Sequence, residues 1–145
     1  MTESSDLISA KAALKGSVGL ALVKGDCAVS YCGRGIGDLY SAVKGGADYV
    51  GYAAADKIVG KAAAFLFAKL KVASVYSAVL SEGGRDVLLA YGIDCFCGEL
   101  TESIINREGS GKCPMEEATE NINDPDEAVA AIGAKLNELR SRAAR

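Results

Sequence analysis

A short apolar strand that runs directly into a helical pattern dominates the middle of this chain. Residues 49–70 read YVGYAAADKIVGKAAAFLFAKL. Residues 50–55 are typical of a buried strand, and the residues after Asp56 have the periodicity of a helix. Ligand sites of α/β proteins commonly lie where the carboxyl end of a strand meets the start of a helix. This stretch therefore predicts an α/β fold with a candidate site around Asp56.

The rest of the chain supplies alternating strands and helices. In chain order we predict helix 4–15, strands 18–23 and 27–32, helix 39–43, strand 50–55 with the helix after it, strand 72–80, helix 85–91, strand 93–100, and helices that begin at Cys113 and Asp124. Strands joined by a tight turn pair antiparallel, whereas strands joined through a helix tend to be parallel. The order therefore predicts a mixed sheet with helices on both faces.

Composition excludes several classes of protein. The 145 residues contain no histidine, which excludes Ser-His-Asp catalysis, Cys-His catalysis and any metal site that needs imidazole. The net charge is −3 with acids and bases mixed, so we expect no binding to duplex nucleic acid. The apolar runs are too short to span a bilayer, and the polar start lacks the features of a signal peptide. We expect a cytoplasmic protein with reduced thiols and no membrane partner.

Lys57 and Lys61 are the most specific local signal. With a helix starting after Asp56, both lysines would lie in its first turns and share one face, where the helix dipole is already positive and a carboxylate would be favoured. Gly60 between them would let a ligand approach the backbone closely. One interpretation is a site for an anion, and the alternative is two solvated lysines beside a glycine used for packing.

Two glycine-rich loops and one cysteine are weaker candidates. The turn at residues 33–37, GRGIG, departs from the dinucleotide fingerprint and is better explained as a strand-to-helix turn, although Arg34 could meet an anion. The loop at residues 106–113, NREGSGKC, departs from a phosphate-binding loop at both ends, yet Arg107 and Lys112 would still suit an anionic group. Cys113 is favoured as the cap of the following helix over a reactive thiol.

Several of these segments together resemble a known family. In this order LALVKGD, GRGIGDLY, AADKIVGKAAA, VYSAVLSE, YGIDCFCGEL and IINREGSGKCPMEEA are similar to the uncharacterised DUF 1893 family, over about residues 7–122. The resemblance implies a three-layer α/β/α sandwich with a mixed sheet, cytidine-deaminase-like. It also implies one domain over residues 1–122, with residues 123–145 forming a C-terminal helix that packs on it or extends from it.

The resemblance implies a pocket at the position of the zinc site of that fold. In zinc deaminases the ligands and a catalytic Glu open two helices, but here those starts read DKIVGKA and SEGGRDV, without His or Cys. We therefore expect no metal, no cofactor and no zinc-dependent deamination. The pocket between the two helix starts would instead be lined by charged residues: Asp56, Lys57, Lys61, Glu82 and Arg85.

Three functions remain open from the sequence. The preferred hypothesis is a metal-free binding protein for a nucleoside, a nucleotide or another phosphate-bearing small molecule. In it Lys57 and Lys61 meet phosphate, Asp56 or Glu82 takes hydroxyl or base donors, and Arg107 with Lys112 closes the site. The second is an enzyme of unassigned type with Asp56 or Glu82 as acid/base and Lys61 as charge partner. The third is a structural or partner-binding module, with formation of a homo-oligomer.

Overall fold

The computed structural model describes residues 2–33, 36–106 and 108–143, and its elements follow the predicted order. The helices are α1 (Ser5–Ala13), α2 (Gly37–Lys44), α3 (Lys61–Leu70), α4 (Glu82–Ala90), α5 (Pro114–Thr119) and α6 (Pro125–Ala143). The strands are β1 (Leu20–Lys24), β2 (Cys27–Tyr31), β3 (Ala53–Val59), β4 (Ser74–Ser81) and β5 (Asp94–Thr101).

The five strands form one mixed sheet in the order β2-β1-β3-β4-β5. β1 is antiparallel to both β2 and β3, while β3, β4 and β5 are parallel to one another. This arrangement follows from the connections, because β1 and β2 are joined by a tight turn and the parallel strands are joined through α3 and α4. The chain is thus an α/β protein with a five-stranded mixed sheet flanked by helices.

Helices lie on both faces of the sheet. On one face, α1 packs against β1 and β3 through a small cluster that contains Ala10, Val23 and Ala55. The other face carries the main core, in which α3 is buried along most of its length by residues such as Phe65 and Phe67. The carboxyl end of β3 reaches this main core through Val59 and lies near the starts of α3 and α5.

The boundary between β3 and α3 differs from the prediction. β3 continues through Asp56 and Lys57 to Val59, Gly60 is the residue before the helix, and α3 begins only at Lys61. The prediction that Lys57 lies in the first turn of a helix and shares a face with Lys61 is wrong. The β-branched pair Ile58-Val59 favours an extended backbone, so the strand runs past two charged residues that suggested a helix start.

The pairing of the three parallel strands is interrupted at one position near this boundary. The ladders pass from Asp56↔Ser77 to Ile58↔Val79 and, on the next strand, from Ser77↔Cys97 to Val79↔Glu99. As a result Ala54 and Val59 both reach the main core although they lie five positions apart. Side chains of a regular strand alternate between its faces, so the irregularity returns the end of β3 to the core and leaves Ile58 exposed.

Among the described residues, no helix is both long enough and apolar enough to cross a bilayer.

Candidate functional site

Asp56 lies in the middle of the sheet, where it pairs with Leu20 of β1 and Ser77 of β4. Its side chain is only partly exposed, and the main-chain N–H of Ile58 donates to its Oδ1 at 3.5 Å. The ion pairs formed by the described residues all involve other carboxylates.

The environment of Asp56 disfavours its charged form. Burial raises the pKa of Asp56 from 3.8 to about 7, because desolvation penalises the carboxylate. The main-chain N–H groups of Ile58 and Lys57 offset only part of this rise. Asp56 is therefore a carboxyl group that can exist in either protonation state near neutral pH.

Asp56 lines a cavity of about 940 Å³. The cavity is bounded by the end of β3, the starts of α2, α3 and α5, and the last part of α6. Much of its wall is apolar and comes from Ile36, Ile58, Ile104, Leu136 and Leu139. Its main chain is accessible at four glycines: Gly19, Gly33, Gly37 and Gly60. The site thus combines apolar surface and bare backbone with three carboxyl groups, those of Asp56, Glu108 and Glu116.

Glu116 caps the N-terminus of α3. Its Oε1 accepts a hydrogen bond from the main-chain N–H of Lys61 at 2.8 Å. This carboxylate supplies the negative charge that favours a helix N-terminus, although it comes from a residue 55 positions away. A Cβ atom on Gly60 would overlap the Glu116 carboxylate and lie 3.1 Å from Ile104. Glycine at position 60 is therefore explained by this internal cap.

The predicted pocket between the starts of α3 and α4 is filled by close packing. A Cβ atom on Gly84 would lie 3.1 Å from both the carbonyl carbon and the oxygen of Gly60. Ser81 caps α4, since its Oγ accepts a hydrogen bond from the main-chain N–H of Gly84 at 3.0 Å. The two helix starts contact each other, and the cavity opens on the side of α2, α5 and α6 instead.

The structure separates the two lysines of the candidate anion site. Lys57 lines the cavity, but its Nζ donates to the main-chain oxygen of Gly16 at 2.8 Å. The Nζ of Lys61 donates to the main-chain oxygen of Glu120 at 3.0 Å, and Lys61 is not among the lining residues. Of this pair, only Lys57 stands at the same cavity as Asp56.

Glu82, Arg85 and Lys112, the other predicted site residues that the structure describes, do not line this cavity. Glu82 is exposed in the first turn of α4, and the Arg85 guanidinium contacts its neighbour Asp86, with Nη2 and Oδ1 3.3 Å apart. Lys112 forms an ion pair of 2.8 Å with Glu120, and this hydrogen bond raises the pKa of Lys112. Arg107, like Arg34, lies outside the described residues.

Sequence reasoning missed several residues that line the cavity. Cys113 occupies the N-cap position of α5, as predicted, although its side chain makes no capping hydrogen bond, and it also lines the cavity. Arg140 and Arg142 reach the site from α6, although they are far from Asp56 in sequence. The only sequence signal for them was the basic end of that helix, which favours a helix C-terminus without any ligand.

Within residues 2–33, 36–106 and 108–143, no three His, Cys, Asp or Glu side chains are grouped closely enough to hold a metal ion.

Comparison with known proteins identifies the family. The family model TM1506, described as a domain of unknown function (DUF1893), matches residues 9–136. The chain belongs to the DUF1893 family. A crystal structure of a DUF1893 family protein (TM1506) from Thermotoga maritima is similar, with a TM-score of 0.83 and 25% sequence identity. The match covers 93% of this chain and 92% of that chain. A search of curated proteins found no similar sequence.

The DUF1893 match includes the first part of α6, beyond residue 122 where the sequence resemblance ended. Asp56, Gly60 and Glu116 all lie inside the matched residues, whereas Leu139, Arg140 and Arg142 lie after them. The cavity thus combines a part within the DUF1893 match with a wall from the end of α6 that lies after the matched residues.

Proposed function

We propose that the cavity around Asp56 binds a nucleoside, a nucleotide or a similar phosphate-bearing small molecule, without a resident metal. Its volume of about 940 Å³ lies within the range of about 300–1,000 Å³ that is common for small-molecule sites. Such sites are mostly apolar with a few polar groups that fix orientation, and this cavity has that composition.

The observation that carries the proposal is the position of Asp56. A partly buried carboxyl group is costly unless it finds hydrogen-bonding partners, and the donors to Asp56 among the described residues are main-chain groups of its own strand. A ligand with hydroxyl or N–H donors would supply further partners. The apolar wall, including Ile36, Ile104 and Leu136, offers surface for a flat base.

Two arginines that line the cavity from α6 support an anionic group on the ligand. Arg140 and Arg142 project from α6, and Arg142 is also bonded to Glu138. Guanidinium groups suit phosphate because they present several donors in a fixed plane. In this arrangement the base contacts Asp56 and the phosphate contacts Arg140.

We further propose that the fold is a cytidine-deaminase-like α/β/α sandwich without its metal. The residues at the two helix starts do not fit zinc: Gly60 precedes α3, which begins with Lys61, and α4 begins with Glu82-Gly83-Gly84-Arg85. None of these side chains is the thiolate or imidazole that holds zinc in such sites. Nucleoside binding without zinc chemistry is consistent with these residues.

The experiment is a thermal-shift panel of nucleosides, nucleoside monophosphates, nucleoside diphosphates and ADP-ribose, followed by calorimetric titration of any compound that stabilises the protein. Binding to the folded state raises the melting temperature by mass action, so we expect a rise with at least one compound. Arg140→Ala should weaken nucleotide binding about tenfold and leave nucleoside binding unchanged. Arg85→Ala is the matched control, since Arg85 lies outside the cavity. Absence of any shift across the panel would overturn the proposal.

An enzyme is the second candidate, favoured by the protonation behaviour of Asp56. A carboxyl group with a pKa of about 7 is matched to general acid/base work near neutral pH. Glu82 and Lys61, the other residues considered for this role, do not line the cavity. Chemical conversion of a stabilising compound by wild type, and its loss in Asp56→Asn, would favour this candidate over simple binding.

A further inference from the structure

Asp56 can form two different hydrogen-bonding patterns, depending on whether its carboxyl group is ionised or neutral. An ionised carboxylate only accepts hydrogen bonds, whereas a neutral carboxyl group donates one and accepts others. The group stands in a cavity beside apolar side chains such as Ile58 and Ile104. A base held against this wall would present its hydrogen-bonding edge to Asp56.

We propose that Asp56 selects the base of the ligand by its edge, with the carboxylate binding a base that offers two adjacent N–H donors and the neutral acid binding a base that offers one donor and one acceptor. Among guanine, adenine and cytosine only guanine has the first kind of edge, since its ring N–H and amino group lie side by side. Its ring N–H and carbonyl oxygen also form an edge of the second kind. Adenine and cytosine have the second kind, an amino group beside an unprotonated ring nitrogen. The inference rests on the proposed function, because it assigns the ligand class of the same cavity.

The carboxyl group of Asp56 has a defined orientation, and both of its protonation states are available to a ligand. Its Oδ1 is held by the main-chain N–H of Ile58, so the carboxyl group is oriented by its own strand. Both forms exist near neutral pH because burial raises the pKa of Asp56 to about 7. Base selection would therefore change with pH over the range in which the protein can be studied.

Other charged groups face the same cavity and must be separated from Asp56 in any pH experiment. Lys57 lies on the same strand, but its Nζ is bonded to the main-chain oxygen of Gly16. From the other elements the described groups are Glu108 in the loop before α5, Cys113 and Glu116 at the start of α5, and Arg140 and Arg142 on α6. A variant of Asp56 itself is thus required to assign the effect.

The experiment is calorimetric titration of guanosine, inosine, adenosine and cytidine between pH 6 and pH 8. Nucleosides are used because a phosphate monoester itself titrates near pH 6. With a pKa of about 7, the ionised fraction of Asp56 falls about tenfold from pH 8 to pH 6. The affinity for guanosine should fall by up to about the same factor, with the affinity for inosine as its lower limit, because the neutral acid still pairs with the ring N–H and carbonyl oxygen that both bases carry. Adenosine and cytidine should show the opposite trend. Inosine, which lacks the amino group, should bind more weakly than guanosine at pH 8.

Asp56→Asn is the decisive variant because an amide has one donor and one acceptor side, as the neutral acid does. It should bind adenosine or cytidine with an affinity that no longer depends on pH, and its affinity for guanosine at pH 8 should drop to about that for inosine. Wild type should also release protons on binding guanosine at pH 6, measured as a dependence of the binding enthalpy on the buffer. Asp56→Asn should not.

The outcomes separate the two proposals. If no nucleoside or nucleotide binds the wild-type protein at any pH, the proposed function fails and this inference fails with it. If nucleosides bind but the order of affinities is the same at pH 6 and pH 8, the binding function stands and base selection by Asp56 is overturned. An unchanged affinity of Asp56→Asn for guanosine would overturn it equally.

Discussion

At the scale of single residues, Asp56 links stability to function. Its pKa rises from 3.8 to about 7 on folding, so between these values the folded protein binds more protons than the unfolded chain. The free energy of unfolding therefore falls as the pH rises from about 4 to about 7, and this contribution is constant outside that range. The protein thus keeps a carboxyl group whose ionisation destabilises the fold, which is typical of functional sites.

Asp56→Asn should stabilise the protein at pH 8 and have little effect at pH 4. The amide removes the cost of a desolvated charge, and each unit of pKa shift corresponds to about 1.4 kcal/mol, so the gain at pH 8 should be on the order of 1–4 kcal/mol. Urea unfolding of both proteins at several pH values measures it. Asp26→Asn, in the exposed turn between β1 and β2, is the matched control. A stability difference that stays constant from pH 4 to pH 8 would refute the explanation.

At the scale of elements, the contact between the starts of α3 and α5 forms part of the cavity wall. The Glu116 carboxylate bonds to the first N–H group of α3 and occupies the space that a side chain at position 60 would need. The backbone of Gly60 has a φ of −103°, which any residue can adopt. The requirement for glycine therefore comes from packing against Glu116 and Ile104.

A double-mutant cycle should reveal this coupling. Gly60→Ala should cost about 1–3 kcal/mol because it overfills the junction, and Glu116→Ala should cost about 1 kcal/mol because it removes the cap. In the Glu116→Ala background, Gly60→Ala should cost less by about 1 kcal/mol, since the overlapping carboxylate is gone. Chemical denaturation measures all three variants. Gly37→Ala, which meets no neighbour within 4 Å, should combine additively with Glu116→Ala. Additive effects for Gly60→Ala as well would contradict the packing explanation.

The same junction shows what the sequence could and could not predict. The order of helices and strands was predictable, because each depends on local periodicity and on caps such as Ser4 and Cys113. The position of Asp56 directly after the apolar residues of β3 was also predictable, whereas its place inside the strand was not. The end of β3 was misplaced because charged residues at 56 and 57 resemble a helix start. Glu116 could not be assigned as the cap of α3, since local patterns carry no information on a contact across 55 residues.

At the scale of the whole molecule, the cavity is assembled from distant parts of the chain. β3 supplies Asp56, the turn before α2 supplies Gly33, α5 supplies Glu116 and α6 supplies Arg140. α6 packs on α3 and α5 with Ile132 buried in the main core, and its basic end lines the cavity. The candidate site is thus a product of tertiary packing. Only part of its lining comes from residues 49–70, the stretch that first indicated a site.

The most direct test of the central hypothesis is a crystal structure of the protein with the nucleotide that gives the largest thermal shift. We expect electron density for the base within hydrogen-bond distance of the Asp56 carboxyl group, and density for the phosphate beside Arg140. A nucleotide bound elsewhere, for example beside Glu82 and Arg85, or a cavity that stays free of ligand at saturating concentration, would contradict it.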